Sequence, residues 1–199
     1  MVEHDEGLDA LEAGCATAMT VAEALQEHDL LYPDSVDVDW FQYASGHTGF
    51  RSRVLHCRDL TTAVLADRVR DSRPAGRPEA HPGTLFLIGP GNWITSGGRK
   101  RGEPGLVGVA VDIAAEDTMV EVSVHHDIWA ENDFFGRPHA EVHDGNAPRL
   151  NQALRGLAAV LGGEAEAGEP TYFGTAVNYG VVAPRGGASD GGLDVTDRL

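Results

Sequence analysis

The stretch Val107-Gly108-Val109-Ala110-Val111-Asp112-Ile113, followed after a short interval by Val120-Glu121-Val122-Ser123-Val124, decides the fold class. In both runs every second residue is β-branched and apolar, the period of a strand with one buried face, and Ala114 to Asp117 suits a four-residue turn between them. That turn sets Val111 against Val120, Val109 against Val122 and Val107 against Val124. A slip of one residue would carry Ala110, Asp112 and Glu121 into the core, so the register is strongly specified.

Working outward, Val36, Val38 and Trp40 alternate with Asp37 and Asp39 as a second half-buried strand, and Phe50 to Cys57 reads as a third with weaker contrast. Thr84 to Ile88 is a short buried strand ended by Gly89, Pro90 and Gly91. Ser96 to Gly105 is a Gly-rich basic connection, and Thr171 to Ala183 forms one closing strand or a hairpin. Three helices accompany these strands. Leu8, Leu11, Cys15, Ala18, Met19, Ala22 and Leu25 recur at steps of three and four, a stripe that ends before Pro33. Asp59 is placed to cap a second helix with Leu60, Val64 and Val69 on its apolar face and Arg68 and Arg70 in its last turn; Arg73 to Pro82 then forms a loop. Asn146 reads as the N-cap of a third, with Pro148 in its first turn, Leu150, Leu154, Leu157 and Leu161 as its stripe, and Gly162 and Gly163 as its stop.

This order lacks the regular βαβ alternation of a doubly wound fold. The expectation is α+β: one domain over residues 1–183, a largely antiparallel sheet with two or three helices packed on one face, and a mobile Gly- and Asp-rich tail over 184–199.

Charge is laid down in blocks. Residues 1–50 hold eleven acidic residues and no Lys or Arg, residues 51–101 hold ten basic against four acidic, and residues 102–199 hold five basic against sixteen acidic, for a net charge of -16. Such a field opposes nucleic-acid phosphates and anionic lipid at long range and favours a basic protein partner or a cation. No apolar run approaches the roughly 18 residues of a membrane span, and the acidic start Met1-Val2-Glu3-His4-Asp5-Glu6 is unlike a secretory signal. The expectations are therefore no nucleic acid, no membrane and a cytoplasmic location. Cys15 and Cys57 are too few for a disulfide framework, and Cys15 falls on the apolar side of its helix.

Chemistry-bearing residues concentrate between His125 and Asp144. His139, Glu141 and His143 alternate, so an extended backbone would aim all three to one side, and with His125 they could hold a divalent metal such as zinc with a position left for water. The spacing is not that of H-E-x-x-H on a helix, and an acidic surface loop collects such residues without any ligand role. Other motifs fall short. Ser96 lacks the preceding glycine of a nucleophile elbow, Ile94 stands where the third glycine of a dinucleotide fingerprint would follow Gly89 and Gly91, and His56 beside Cys57 is no catalytic pair by sequence alone. Arg99, Lys100 and Arg101 on their glycine-rich connection suit a solvated hairpin tip or an anion grip.

Two function classes follow. The leading one is a non-catalytic binding module without cofactor, in which Asp127, Glu131 and Asp133 steer a basic protein partner while Trp129, Phe134 and Phe135 supply contact area. In type, though in no motif, this resembles the small immunity proteins that neutralise bacterial toxins. The alternative is a metal-dependent hydrolase or lyase built on the His125 to Asp144 cluster.

Overall fold

A computed structural model of the chain describes residues 3–43, 46–56, 60–113, 118–185 and 192–199, with side chains of the first helix described from Ala10 onward. The elements are α1 (Glu3–Glu27), β1 (Ser35–Gln42), β2 (Gly46–Leu55), α2 (Thr62–Asp71), β3 (His81–Ile88), β4 (Pro90–Ile94), β5 (Lys100–Pro104), β6 (Val107–Asp112), β7 (Met119–Val124), α3 (Ala140–Leu161), β8 (Thr175–Val177) and β9 (Gly180–Val182). The fold is α+β, with three helices and a fully antiparallel five-stranded sheet of order β2-β1-β3-β6-β7. The expected turn at 114–117, the Asp59 cap, Cys57 and the Leu8 side chain lie outside the described residues.

The chain divides into two compact units. The first gathers residues 1–23, 31–90 and 107–124; the second gathers 24–30, 91–106 and 125–199.

In the first unit the hairpin register is the one the valines dictate: Val111 opposite Val120, Val109 opposite Val122, Val107 opposite Val124. The same inward alternation continues across the sheet, with Leu85 between Val38 and Val111 and Leu87 between Val36 and Val109. These residues, with Trp40 and Val54, are buried, and Leu11, Cys15, Ala18 and Val21 of α1 are buried too. Gly14 lets α1 come close to the sheet's end: a Cβ there would fall 2.0 Å from Ile113 Cγ2. Burial pushes the Cys15 thiol up to about 12, against a smaller opposing pull from Arg70, so this cysteine serves as a small apolar side chain. Helix α2 is capped by Thr61, whose hydroxyl accepts the Val64 N–H, and its buried face is Leu65, Ala66 and Val69. Val64, expected inside, is 42% exposed, because the helix phase set by that cap turns it outward.

The opposite face of this sheet carries cross-strand ion pairs. Arg53 sits opposite Asp37 and Arg51 opposite Asp39, each guanidinium donating from Nε and Nη2 to both carboxylate oxygens, at 2.5 and 2.8 Å for Arg53 and 2.9 and 3.2 Å for Arg51. The Arg53 hydrogen bonds, outweighing the effect of burial, hold the Asp37 carboxyl below the usual carboxylate range. A carboxyl depressed in the folded state stabilises fully above its unfolded value, and that contribution is lost as pH falls through the folded value. Acid titration followed by thermal melting should therefore show a fall in Tm below the ordinary carboxylate range that is shallower in Asp37→Asn. Parallel curves for the two proteins would remove Asp37 from the acid transition.

In the second unit, β4 and β5 pair as a hairpin where the glycine content suggested only a connection. Its tip, Gly97-Gly98, takes positive φ at Gly98, and Lys100 Nζ pairs with Asp29 Oδ2 at 2.5 Å. Gly91, read in sequence as half of a failed phosphate motif, has a packing role: a Cβ there would lie 2.1 Å from the Leu30 carbonyl oxygen. β8 and β9 form the closing hairpin. Its two turn residues, Asn178 and Tyr179, both have positive φ, as a turn matched to strand twist demands.

Helix α3 begins six residues before Asn146, at Ala140 with His139 as N-cap, so Asn146 is not a cap and Pro148 lies inside the helix. The reason is tertiary. Asn146 is fully buried and reads the β4 backbone like a neighbouring strand, accepting the Ile94 N–H on Oδ1 and donating to the Ile94 carbonyl from Nδ2, both at 2.8 Å. The same Nδ2 donates to the Val142 carbonyl at 2.7 Å. Arg149, one turn on, donates to the carbonyls of His28 and Asn92 at 2.6 and 2.9 Å. Leu150, Ala153 and Leu157 are buried on α3, whereas Leu161 is exposed, and Gly162 closes the helix in the left-handed conformation.

Residues 192–199, in the tail that composition suggested, make specific contacts with the second unit. Val195 is buried and donates its N–H to the Phe134 carbonyl at 2.8 Å, and Gly192 N–H reaches the Gly136 carbonyl at 3.1 Å. A segment poor in apolar residues is held here by backbone hydrogen bonds and one anchoring valine, features that an average over composition does not register.

Candidate interaction site

The segment between β7 and α3 is a loop shaped by aspartates acting on backbone. Residues Asp127–Trp129 make one 3-10 turn, after which the Asp127 Oδ2 accepts the Phe134 N–H at 3.0 Å. Asp133 organises the tip. Its Oδ1 accepts the N–H groups of both Phe135 and Arg137 at 2.9 Å, its Oδ2 pairs with Arg137 Nε at 3.1 Å, and its own N–H donates to the Arg137 carbonyl at 2.9 Å. Gly136 closes the tip at φ +74, and a Cβ on it would lie 2.4 Å from the Gly192 carbonyl oxygen, so both conformation and space require glycine.

On this frame sits an aromatic surface drawn from three distant stretches of chain. The ring of Phe134 meets Phe173 edge to face at 5.6 Å, and Phe173 meets Tyr172 at 5.8 Å. Arg198 lies over the Tyr172 ring at 5.0 Å, and the Tyr172 hydroxyl donates to Asp197 Oδ1 at 3.1 Å. Partial loss of hydration, and then that bond to Asp197, raise the Tyr172 pKa, so the hydroxyl is protonated at neutral pH. Phe135 points outward, 55% exposed, with the Arg137 guanidinium 4.4 Å from its ring centre. Asp194 supports the end of the strap by accepting from the Thr196 hydroxyl and N–H, which lower its pKa in that order.

Of the residues the sequence nominated for binding, Phe134 joins this ring cluster, and Phe135 and Glu131 are exposed. Trp129 does not: it is 0% exposed, a core residue of the second unit, and cannot touch a partner. Asp127 and Asp133 are consumed in shaping the loop, so their charges position Phe134 and Phe135 and are already satisfied locally. Tyr172, Phe173, Arg137, Asp197 and Arg198 were not nominated. The Tyr172-Phe173 pair looked like strand, and nothing local ties it to Phe134 nearly forty residues earlier.

The proposed metal ligands part company for a geometric reason. Their common face depended on extended backbone, but Glu141 and His143 lie in α3 and His139 is its N-cap. At about 100° per residue, Glu141 is turned to the far side of the helix from the other two. His139 Nε2 lies 2.8 Å from the Ala130 carbonyl oxygen and donates to it, Glu141 is exposed, and His143 Nδ1 lies 3.2 Å from Asp144 Oδ1. His125 follows β7 on exposed backbone. Among the described residues, no three His, Cys, Asp or Glu side chains gather in a way that could hold a metal ion. Among the same residues, no helix is long and apolar enough to cross a membrane.

No family model matches the sequence, and neither a curated protein nor a solved structure is significantly similar to it.

Proposed function

We propose that the protein is a non-catalytic binding module whose second unit docks a basic protein surface, as immunity proteins and antitoxins do in type. The observation that carries this reading is the exposed Phe135, presented at the tip of a loop that Asp133 locks through three hydrogen bonds and Gly136 locks through a positive φ. An aromatic side chain held ready in this way loses little conformational entropy on docking, which is the property of interface anchors. Phe134, next to it in the chain, meets Phe173, which in turn meets Tyr172. Charge supplies the partner's sign: among the described residues Glu131, Glu141, Glu164, Glu166 and Glu169 form no salt bridge, whereas the nearby Arg137 and Arg198 are each paired with an aspartate. The exposed run 162–170 carries three of those glutamates directly before Tyr172.

Exposed carboxylates accelerate encounter and confer salt dependence, while the aromatic anchor governs dissociation. Immobilised protein should retain a basic partner from a cell extract at low salt and release much of it when the Debye length is cut to about 3 Å at 1 M salt. Phe135→Ala should weaken retention at least about tenfold without changing the melting curve. Retention indifferent to both salt and Phe135→Ala would sink this reading.

A further inference from the structure

We infer that the outer face of the five-stranded sheet in the first unit binds a neutral planar heteroaromatic ligand of the nucleobase or nucleoside type, at a site separate from the Phe135 surface. The inner face of this sheet is buried, but the outer face carries two cross-strand rows, Arg53-Asp37-Phe86 and Arg51-Asp39-Thr84, across β2, β1 and β3. Beyond them a third row, His47-Phe41-His81, crosses the same three strands. Between the second and third rows the β2 register slips, with Arg51 opposite Asp39 but His47 opposite Phe41, so β2 bulges and opens a depression. The depression is shallow and open to solvent, spans about 330 Å³ and is lined by Asp39, Trp40, His47, Gly49 and Arg51. That is the low end of the roughly 300 to 1,000 Å³ typical of small-ligand sites. Gly49, at φ +75 with nothing within 4 Å of its missing Cβ, leaves one wall low.

The lining has the chemistry of base recognition. Arg51 lies over the Phe86 ring at 4.3 Å and is held by Asp39, so its guanidinium is fixed in place with its charge balanced and its side chain still 51% exposed. A planar ring laid on the guanidinium would continue the stack that Phe86 begins. Tyr43 stands at the end of the depression's strands, 81% exposed yet in ring contact with Phe41 at 5.0 Å and His81 at 5.1 Å. This ring cluster lies beyond the residues that line the depression, Asp39, Trp40, His47, Gly49 and Arg51. Asp39 has further lone pairs for an N–H donor, and His47 can donate or accept, so the polar edge of a base finds both kinds of partner. The ligand is placed as neutral because Asp37 and Asp39 already balance Arg53 and Arg51 and the whole chain carries -16, a field that opposes added phosphates.

The test is titration of the full chain with adenosine and guanosine, with ATP and with a short single-stranded oligoadenylate, followed by side-chain NMR shifts of His47 and Arg51. Saturable shifts with a nucleoside, at least about tenfold tighter than with ATP at low salt, are expected. Arg51→Ala should weaken nucleoside binding about tenfold, the loss of the stacking partner, and His47→Ala should weaken it severalfold, the loss of one hydrogen-bond partner. His47 is exposed, so its replacement leaves folding intact. Phe135→Ala should leave the titration unchanged, which separates this site from the partner surface. No saturable shift at millimolar nucleoside, tighter binding of ATP or of the oligonucleotide, or wild-type affinity in both variants would overturn the inference.

Discussion

Asn146→Ala is expected to destabilise the second unit by about 3 kcal/mol, because it orphans two backbone groups of another element at once. The Asn146 amide satisfies both the N–H and the C=O of Ile94, and it also accepts from Arg149 Nη1 at 3.1 Å. Alanine at this fully buried position leaves those groups without a partner. Helix propensity works in the opposite direction, since Ala favours a helix interior over Asn by roughly half a kcal/mol, which does not offset the loss. Urea unfolding should show a lower midpoint at an unchanged slope. A change under about 1 kcal/mol would mean that water replaces the amide and that the Asn146 to Ile94 bonding is dispensable.

Trp129→Ala should cost about 3 to 5 kcal/mol, the range for deleting a large buried aromatic. The measurement also checks the core role that burial gives this residue. A contact anchor would lose partner affinity with little change in stability, whereas a core residue loses stability first. Trp129 is fully enclosed, and its Nε1 hydrogen finds no acceptor among the described residues. Trp129→Phe therefore sacrifices no hydrogen bond and removes an unsatisfied donor, so it should cost clearly less than the Ala variant, roughly 1 to 2 kcal/mol. Equal losses for Phe and Ala would show that the indole N–H has a partner, such as a buried water, and would reverse the assignment of that atom.

What could be read along the chain was whatever short-range pattern encodes. The valines at 107–111 and 120–124 fixed pairing and register because side chains alternate strictly across a strand. Helix α1 was legible from its stripe and the C-terminus of α3 from Gly162, both consequences of local geometry. The candidate site was only half legible. Phe134 and Phe135 stood out as large aromatics in loop context, but the partners that make them a surface, Tyr172, Phe173 and Arg198, come from remote stretches with no mutual spacing to detect.

The errors share one cause. Asn146 before Pro148 imitates a helix start, and His139-Glu141-His143 imitates a strand face, because a cap residue and a period of two are weak local preferences. Long-range bonds overrode the first: Ile94 needed a partner deep in the second unit, and a helix begun at Ala140 delivers Asn146 to it. That same early start dismantled the metal triad. Trp129, a large aromatic in loop context, reads locally as a contact anchor as readily as a lid over a core, and only what folds over it makes it buried.

The sequence by itself determined the antiparallel hairpin, the identity of the inward face and the sign of the electrostatic field, since each follows from neighbours a few residues apart or from simple summation. Tertiary structure alone decided which aspartates spend their charge on backbone, which tryptophan is enclosed, and which aromatic rings meet. Those outcomes depend on hydrogen-bond satisfaction and packing between segments tens of residues apart, and such closure is a property of the folded chain.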